Sequence, residues 1–369
     1  MADPSTDQLD PLRSVHTTSF PQLLDQLGAS VLVTTYQAGK LVVLRSDAGV
    51  LNTHFRNLHK PMGLACDGGR LAIGCSVDIW EFHNVSAVCA KLDVSDAYPS
   101  KQAKHDACFL PRRTHCTGDV QIHEMAYVGG DLIFVNTAFS CLAKRSEENS
   151  FEPVWRPKWI EQIAPGDNSH LNGLAVRDGV ARYATALGET NTPGGWRANK
   201  RDGGVLIDIE QNEVIARGLS MPHSPRWHDG KLWLLESGEG TIGTVDQNTG
   251  SYEPIAQLPG FTRGLSFLGP LALVGLSQVR ESAVFSGIPL VERLKEAEER
   301  SCGVWVIDTR SGETVAFCKF EEGVQEVFAV EALPGVCFPD LVNHDPEIVG
   351  ASYVLGDRAL AEVPSDLRA

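Results

Sequence analysis

The chain has 369 residues, with 32 Lys and Arg against 47 Asp and Glu, for a formal net charge of −15. That balance argues against nucleic acid and anionic membrane surfaces as partners, and no run approaches the roughly 18 apolar residues of a membrane span. Thirty-five glycines and twenty prolines, with few long apolar helical patterns, point to a turn-rich all-β protein.

The N-terminal MADPSTD is polar and acidic, unlike a secretory signal. Nine cysteines, an odd number with no C-x-x-C pair, lie partly inside apolar strand patterns. Both features predict a cytoplasmic protein with reduced, buried thiols. Residues 1–18 read as a flexible tail and residues 19–369 as one domain. Ser19–Gly28 carries Leu23, Leu24 and Leu27 at helical spacing. It predicts one short helix, capped by Ser19 and stopped by Gly28. Strands follow at Ser30–Tyr36, Leu41–Arg45 and Val50–Asn57.

A phrase then recurs: an inner strand, a tight Gly turn, a second apolar strand. It begins at Met62 (MGLACDGGRLAIG), His123, Asn172, His223, Arg263 and Glu326, with spacings of 61, 49, 51, 40 and 63 residues. The stretch Met221–Gly260 shows one full unit, four short strands joined by Asp-Gly, Ser-Gly-Glu-Gly and Asn-Thr-Gly turns. Strand-only repeats of this length predict a β-propeller. Six phrases give six blades. One or two strands follow the last phrase and three precede the first, so the sixth blade is predicted to be composite. Val327–Leu333 would lie innermost and the three N-terminal strands outside it, removing an open edge.

The extra length falls in Tyr98–Gln121, Gly188–Gly204 and Gln278–Cys302, with a helix from about Leu290 in the last. Taken as connections between blades or between second and third strands, these loops share the face on which the inner strands begin. Long loops on one face of a rigid scaffold predict a covered site there.

Alignment of the phrases places Met62, His123, Asn172, His223, Arg263 and Glu326 at the channel mouth. Two positions earlier stand Lys60, Gln121, His170, Met221, Phe261 and Val324. Imidazoles with a carboxylate or amide oxygen suit Zn, Fe or Cu better than Mg or Ca. His123, His170 and His223, with Glu326 or Asn172, are therefore the candidate metal ligands. Histidines in strands more commonly serve as hydrogen-bonded core residues, and a metal-free polar channel is the alternative. Glu124 and His115 are candidates to move a proton, with Arg113 and Arg263 beside the reaction. Arg112, Trp196, Arg197 and Arg280 are candidates to hold substrate, since arginines recognise carboxylates and phosphates bidentately. Any one of these arginines, taken alone, is better explained by a salt bridge that pins a loop.

Several stretches resemble one bacterial family of conserved hypothetical proteins: SVHTTSFPQLLDQLGASVLVTTYQAGKL from Ser14, DIWEFHN from Asp78, HDACFLPRRTHCTGDVQIHEMAY from His105, HLNGLAVRDG from His170, ALGETNTPGGWR from Ala186 and GLSMPHSPRWHDGKLWLLESG from Gly218. The resemblance implies membership and no reaction. A more distant similarity is to gluconolactonase, regucalcin and paraoxonase propellers, which implies an axial divalent metal. Asn172 and Glu326 occupy comparable positions, whereas His123 and His223 depart from that all-oxygen pattern.

Three functions remain open on the sequence. One is a metal-dependent lyase, hydrolase or oxygen-using enzyme acting on a small polar or anionic substrate. Another is a non-catalytic propeller that binds a peptide or protein on its loop-rich face. A metal-free enzyme using Glu and Arg is a third. The sequence leaves the oligomeric state open.

Overall fold

Tight turns form where the chain supplies residues tolerant of positive φ. Asp178-Gly179 has φ of 52° and 77°, and Asp229-Gly230 has 48° and 72°. Two successive positive values turn the chain with the twist that flanking strands need. The protein, described by a computed structural model over residues 12–92, 104–279, 286–295 and 301–368, is an all-β six-bladed propeller.

Blade 1 runs Leu64–Asp67, Arg70–Gly74, Asp78–Asn84 and Ala107–Cys116, with Pro339–Leu341 added in parallel at its outer edge. Blades 2, 3 and 4 are simple meanders that begin with Ile122–Val128, Leu171–Arg177 and Pro222–His228. Blade 5 begins with Phe261–Leu268 and ends with Thr314–Phe320. The sixth blade is composite: Val330–Pro334 is innermost, followed by Ala29–Thr34, Lys40–Asp47 and Val50–Asn57. Ser30 pairs with Leu333, so the predicted closure is the one that forms.

Hydroxyls at the end of second strands tie four of the blades to the next. Thr137 Oγ1 donates to Leu171 O (2.6 Å), Ser237 Oγ to Thr262 O (2.5 Å), and Ser277 Oγ to Val327 O (2.9 Å). Thr34 Oγ1 does the same to Met62 O. Between these ties, apolar side chains of adjoining blades interdigitate. Leu235 and Ile242 of blade 4, for example, pack with Val274, Leu276 and Trp305 of blade 5.

Three expectations need correction. Ser14–His16 is a strand paired with Thr314–Phe320, so this part of the tail extends blade 5. The helix spans Ser19–Leu27 and ends at left-handed Gly28 (φ 58°), but Thr18 is its N-cap, and the Ser19 hydroxyl donates to Val315 O instead. Most important, Ala107–Cys116 is the fourth strand of blade 1 and not a mouth loop. Its first four residues are buried and its Arg-Arg-Thr run is exposed. An outer strand open to water on its second half lacks apolar alternation, so it reads as loop. The extra length of blade 1 therefore joins its third and fourth strands, on the opposite face from the other long loops. Val85, Val88, Cys89 and Leu92 pack there with Val342, Ile348 and Val349 from the C-terminal segment.

The lid helix spans Pro289–Leu294, overlapping the start of the Leu290–Arg300 predicted; residues 296–300 lie outside the described residues. It sits on the loop-rich face, where Leu290 N donates to Gly238 O and Arg293 Nη2 to Glu239 O. No helix among the described residues is long and apolar enough to cross a membrane.

Candidate functional site

Lys60, Gln121, His170 and Met221 share one backbone state. Their φ values are 51°, 56°, 49° and 48°. Each stands two residues before a ring position, and left-handed backbone at a non-glycine residue costs about 1–2 kcal/mol. The repeated strain turns the chain into the channel and aims the carbonyls of Gln121 and Met221 at the imidazole two residues on. His123 Nδ1 lies 3.0 Å from Gln121 O, and His223 Nδ1 lies 2.9 Å from Met221 O.

These bonds fix the tautomers. A carbonyl only accepts, so each Nδ1 carries the proton. At His223 the neighbouring Ser237 hydroxyl gives its hydrogen to Thr262 O and so receives from the same Nδ1 at 2.9 Å. His170 Nδ1 reaches Asp167 Oδ1 at 2.9 Å. The other Asp167 oxygen accepts from Trp196 Nε1 at 2.9 Å and Arg197 Nη2 at 3.3 Å. His123 and His223 therefore present a bare Nε2, and no Nε2 of the three rings has a hydrogen bond among the described residues.

The three rings line one cavity of about 250 Å³ at the loop-rich end of the channel. Tyr36, Trp196, Phe261, Phe328, Met62 and Met221 form its apolar walls, and Arg263, Glu326, Asp167 and Arg197 its charges. His123 and His170 meet edge to face at 4.7 Å between centroids, and His170 lies 4.5 Å from the Trp196 ring. Burial pushes His123 and His223 well below the usual imidazole range, and the charge of Arg263 pushes the same way. Both rings are neutral at neutral pH. Arg263 sits 3.4 Å over the Phe328 ring and 3.4 Å from Glu326 Oε1. Burial lowers its pKa to about 10 against the pull of Glu326, leaving it charged.

Five of the six ring positions line this cavity: Met62, His123, His223, Arg263 and Glu326. Asn172 does not. It is buried in the blade wall, with Nδ2 on Pro222 O (3.1 Å) and Oδ1 receiving Thr185 Oγ1 (2.7 Å), so its amide is spent on holding blade 3 to blade 4. Glu326 faces Arg263 instead of a metal position. Among the described residues no group of three His, Cys, Asp or Glu side chains is placed to hold a metal ion.

Glu124 also lies elsewhere than expected. Strand alternation turns it away from His123, and its Oε2 accepts from Arg226 Nη1 at 3.0 Å. Arg112, Arg113 and His115 stand on the outer strand of blade 1. Arg113 approaches Glu147 at 3.8 Å, His115 Nε2 bonds Ser150 O at 2.8 Å, and Arg112 bonds Pro111 O. Trp196 and Arg197 do reach the cavity, as wall and rim. Arg280 lies outside the described residues. The small residues after the ring positions make room for backbone and not for ligand: a Cβ on Gly264 (φ 82°) would meet Val330 N at 2.6 Å.

Asp167, Tyr36 and Phe328 were missed by sequence reasoning. The signal for Asp167 was its place three residues before His170, the reach of a side chain across a tight turn. None of the nine cysteines is in a disulfide, and most are buried.

The structure is similar to chains of known fold at low identity. One, from a nidogen/laminin complex, aligns with a TM-score of 0.52 at 8% identity over 84% of this chain and 100% of that one. Another, a protein of unknown function from Bacteroides caccae, aligns with a TM-score of 0.50 at 9% identity over 83% of this chain and 98% of that one. Identities this low speak for the fold alone. No curated protein matches the sequence. The family model called Domain of unknown function (DUF4915) matches residues 18–342, and the chain belongs to that family.

Proposed function

We propose that the cavity at the loop-rich end is the active site of an enzyme that moves a proton on a small anionic substrate, in hydrolysis or elimination. Its support is one observation: three imidazoles have Nδ1 committed and Nε2 without a hydrogen-bond partner, in one cavity with the guanidinium of Arg263. A fixed Nδ1–H makes Nε2 the basic atom, and a general base needs that atom at hydrogen-bond distance from the proton it takes. Arg263 supplies the charge for a carboxylate or phosphate, with Glu326 as the partner it exchanges. The aromatic walls exclude water around the reacting atoms. A reducing, cytoplasmic setting accords with nine cysteines outside any disulfide.

A metal-dependent version has its own observation in favour. Imidazoles that donate from Nδ1 to a carbonyl or carboxylate are oriented as metal ligands are. His123, His170 and His223 would hold Zn, Fe or Cu through Nε2, and the metal would supply Lewis acidity when bound. Against it stand the nearby Arg263 and the lack of a preformed three-ligand group.

Two measurements separate the alternatives. Elemental analysis of protein purified without a histidine tag distinguishes the versions: metal near one equivalent selects the second, and its absence the first. A melting-shift panel of small carboxylates and phosphates tests the site itself. Acids that stabilise the protein should lose their effect in Arg263→Met and His123→Gln. Shifts unchanged in both variants would place the binding elsewhere, and a response only to peptides would favour a non-catalytic partner-binding propeller.

A further inference from the structure

On the reading of the loop-rich cavity as a site that moves a proton on an anion, its walls also select the body of that anion. We propose that the substrate is an aryl carboxylate, an aromatic ring joined by a short carbon link to a carboxylate that Arg263 holds.

Arg263 fixes the head. Its side chain is 12% exposed, and Nη1 meets Glu326 Oε1 in a single long contact of 3.4 Å. A guanidinium carries its several N–H donors in one plane, and those of Arg263 make no other hydrogen bond among the described residues. The Phe328 ring covers one face of the guanidinium at 3.4 Å, which leaves the in-plane donors for a carboxylate. Phe328 in turn meets the His123 ring at 5.0 Å, and His123 meets His170 at 4.7 Å. A carboxylate on Arg263 therefore starts the substrate beside the imidazoles.

The walls describe the body. Each imidazole stands against an aromatic ring: His123 against Phe328, His170 against Trp196 at 4.5 Å, and His223 against Phe261 at 5.5 Å. Trp196, Met221 and Phe261 pack with Ile288 and Leu290, at the start of the lid helix, into one apolar cluster. An aromatic guest packs edge to face on such rings, and methionine sulfur adds contacts at ring edges. An apolar cavity of about 150 Å³ holds one benzene molecule, so the volume of about 250 Å³ here leaves about 100 Å³ for the carboxylate and its link.

The same inventory excludes a sugar acid. Such a body carries a hydroxyl on nearly every carbon, and each one taken out of water needs a partner. Ser277 Oγ is committed to Val327, at both O and N. Both Asp167 oxygens are taken, by His170, Trp196 and Arg197. Apart from the imidazoles and the charged pairs, the described lining offers only the Tyr36 hydroxyl and the Gln121 amide, too few for a polyol.

Isothermal titration of the full chain with 3-phenylpropanoate tests this, against hexanoate, malate and gluconate. 3-Phenylpropanoate should bind at least about ten-fold more tightly than malate or gluconate, and about five-fold more tightly than hexanoate, which has the charge without the ring. Arg263→Met should weaken it about ten-fold or more. Phe261→Leu should weaken it about five-fold and hexanoate less; the ranking in the wild type needs no variant, and decides if that one does not fold. Malate or gluconate bound as tightly as 3-phenylpropanoate, and lost in Arg263→Met, would overturn the aryl class and leave the proton-moving site standing. Equal binding of hexanoate, unchanged affinity in a folded Phe261→Leu, or 3-phenylpropanoate binding that survives Arg263→Met would overturn the aryl class as well. No Arg263-dependent binding of any acid would remove the proposed site itself, and the aryl class with it.

Discussion

Arg226 Nη1 donates to Glu124 Oε2 at 3.0 Å, joining the inner strand of blade 4 to that of blade 2 past the blade between them. Burial opposes the Arg226 charge, but Glu124 and Glu331 outweigh it and raise the pKa. Arg226→Met strands a buried carboxylate and should cost about 3–5 kcal/mol. Adding Glu124→Gln should return much of that loss. Urea midpoints at constant m measure both, and additive losses would show that the two side chains act separately.

The left-handed backbone at the channel mouth predicts the opposite sign. Lys60 is exposed, with φ of 51°. Lys60→Gly removes a Cβ clash and should leave stability unchanged or raise it by up to about 1 kcal/mol. A fall in melting temperature would mean that the Lys60 contact with the Tyr36 ring, 5.7 Å away, outweighs the strain.

His223 should make the fold sensitive to mild acid. Its folded pKa is depressed by burial and by Arg263. The stability it contributes is present above the unfolded pKa of about 6.5 and is lost as pH falls toward the folded value. His223→Gln should be less stable than wild type at about pH 7.5, and the gap should narrow by about 1–2 kcal/mol at about pH 5. Calorimetry at both pH values measures it. A constant gap would show that the ring protonates equally in both states.

Asp340 works in a lower window. Burial alone would raise its carboxyl, but the hydrogen bond and charge of His54, with Arg56 and Arg45, bring it down to about 2. It joins the C-terminal strand to the composite blade through Arg56 at 2.9 Å. Asp340→Asn should cost about 2 kcal/mol near neutrality. The difference should fade as pH drops from about 4 through about 2, where the native carboxylate also protonates. Denaturant titrations across that range check it.

The propeller was legible because its evidence is local and repeated. Asp229-Gly230 announces a turn wherever it stands, and six similar phrases constrain one another. Ala107–Cys116 escaped because an outer strand is only half covered: Arg112 and Arg113 face water, and burial of its first half depends on Pro339–Leu341, more than two hundred residues later. The cavity was legible as a set of positions and not as a set of partners. Alignment brought His123, His223, Arg263 and Glu326 to one place. It could not tell that Asn172 would be consumed by Pro222 and Thr185, nor that Glu124, beside His123, would turn to Arg226. Such pairings depend on bulges in the inner strands, such as those at His223/Arg226 and Leu171/Gly173, which shift side-chain phase without a sequence mark.

The pairing of Ser30 with Leu333 sets an order on synthesis. The three strands Ala29–Asn57 leave the ribosome long before Val330–Pro334 exists, and until then their inner edge has no mate. Early blades can form as meanders while the chain emerges, but the ring shuts only after Val330–Pro334 has been made. A chain arrested before Val330 keeps an apolar edge exposed, and that edge invites the same strand from another nascent copy. Chaperone dependence should therefore concentrate in the interval before Val330–Pro334 is made, and stop codons upstream of Val330 should yield aggregates in place of a smaller soluble propeller.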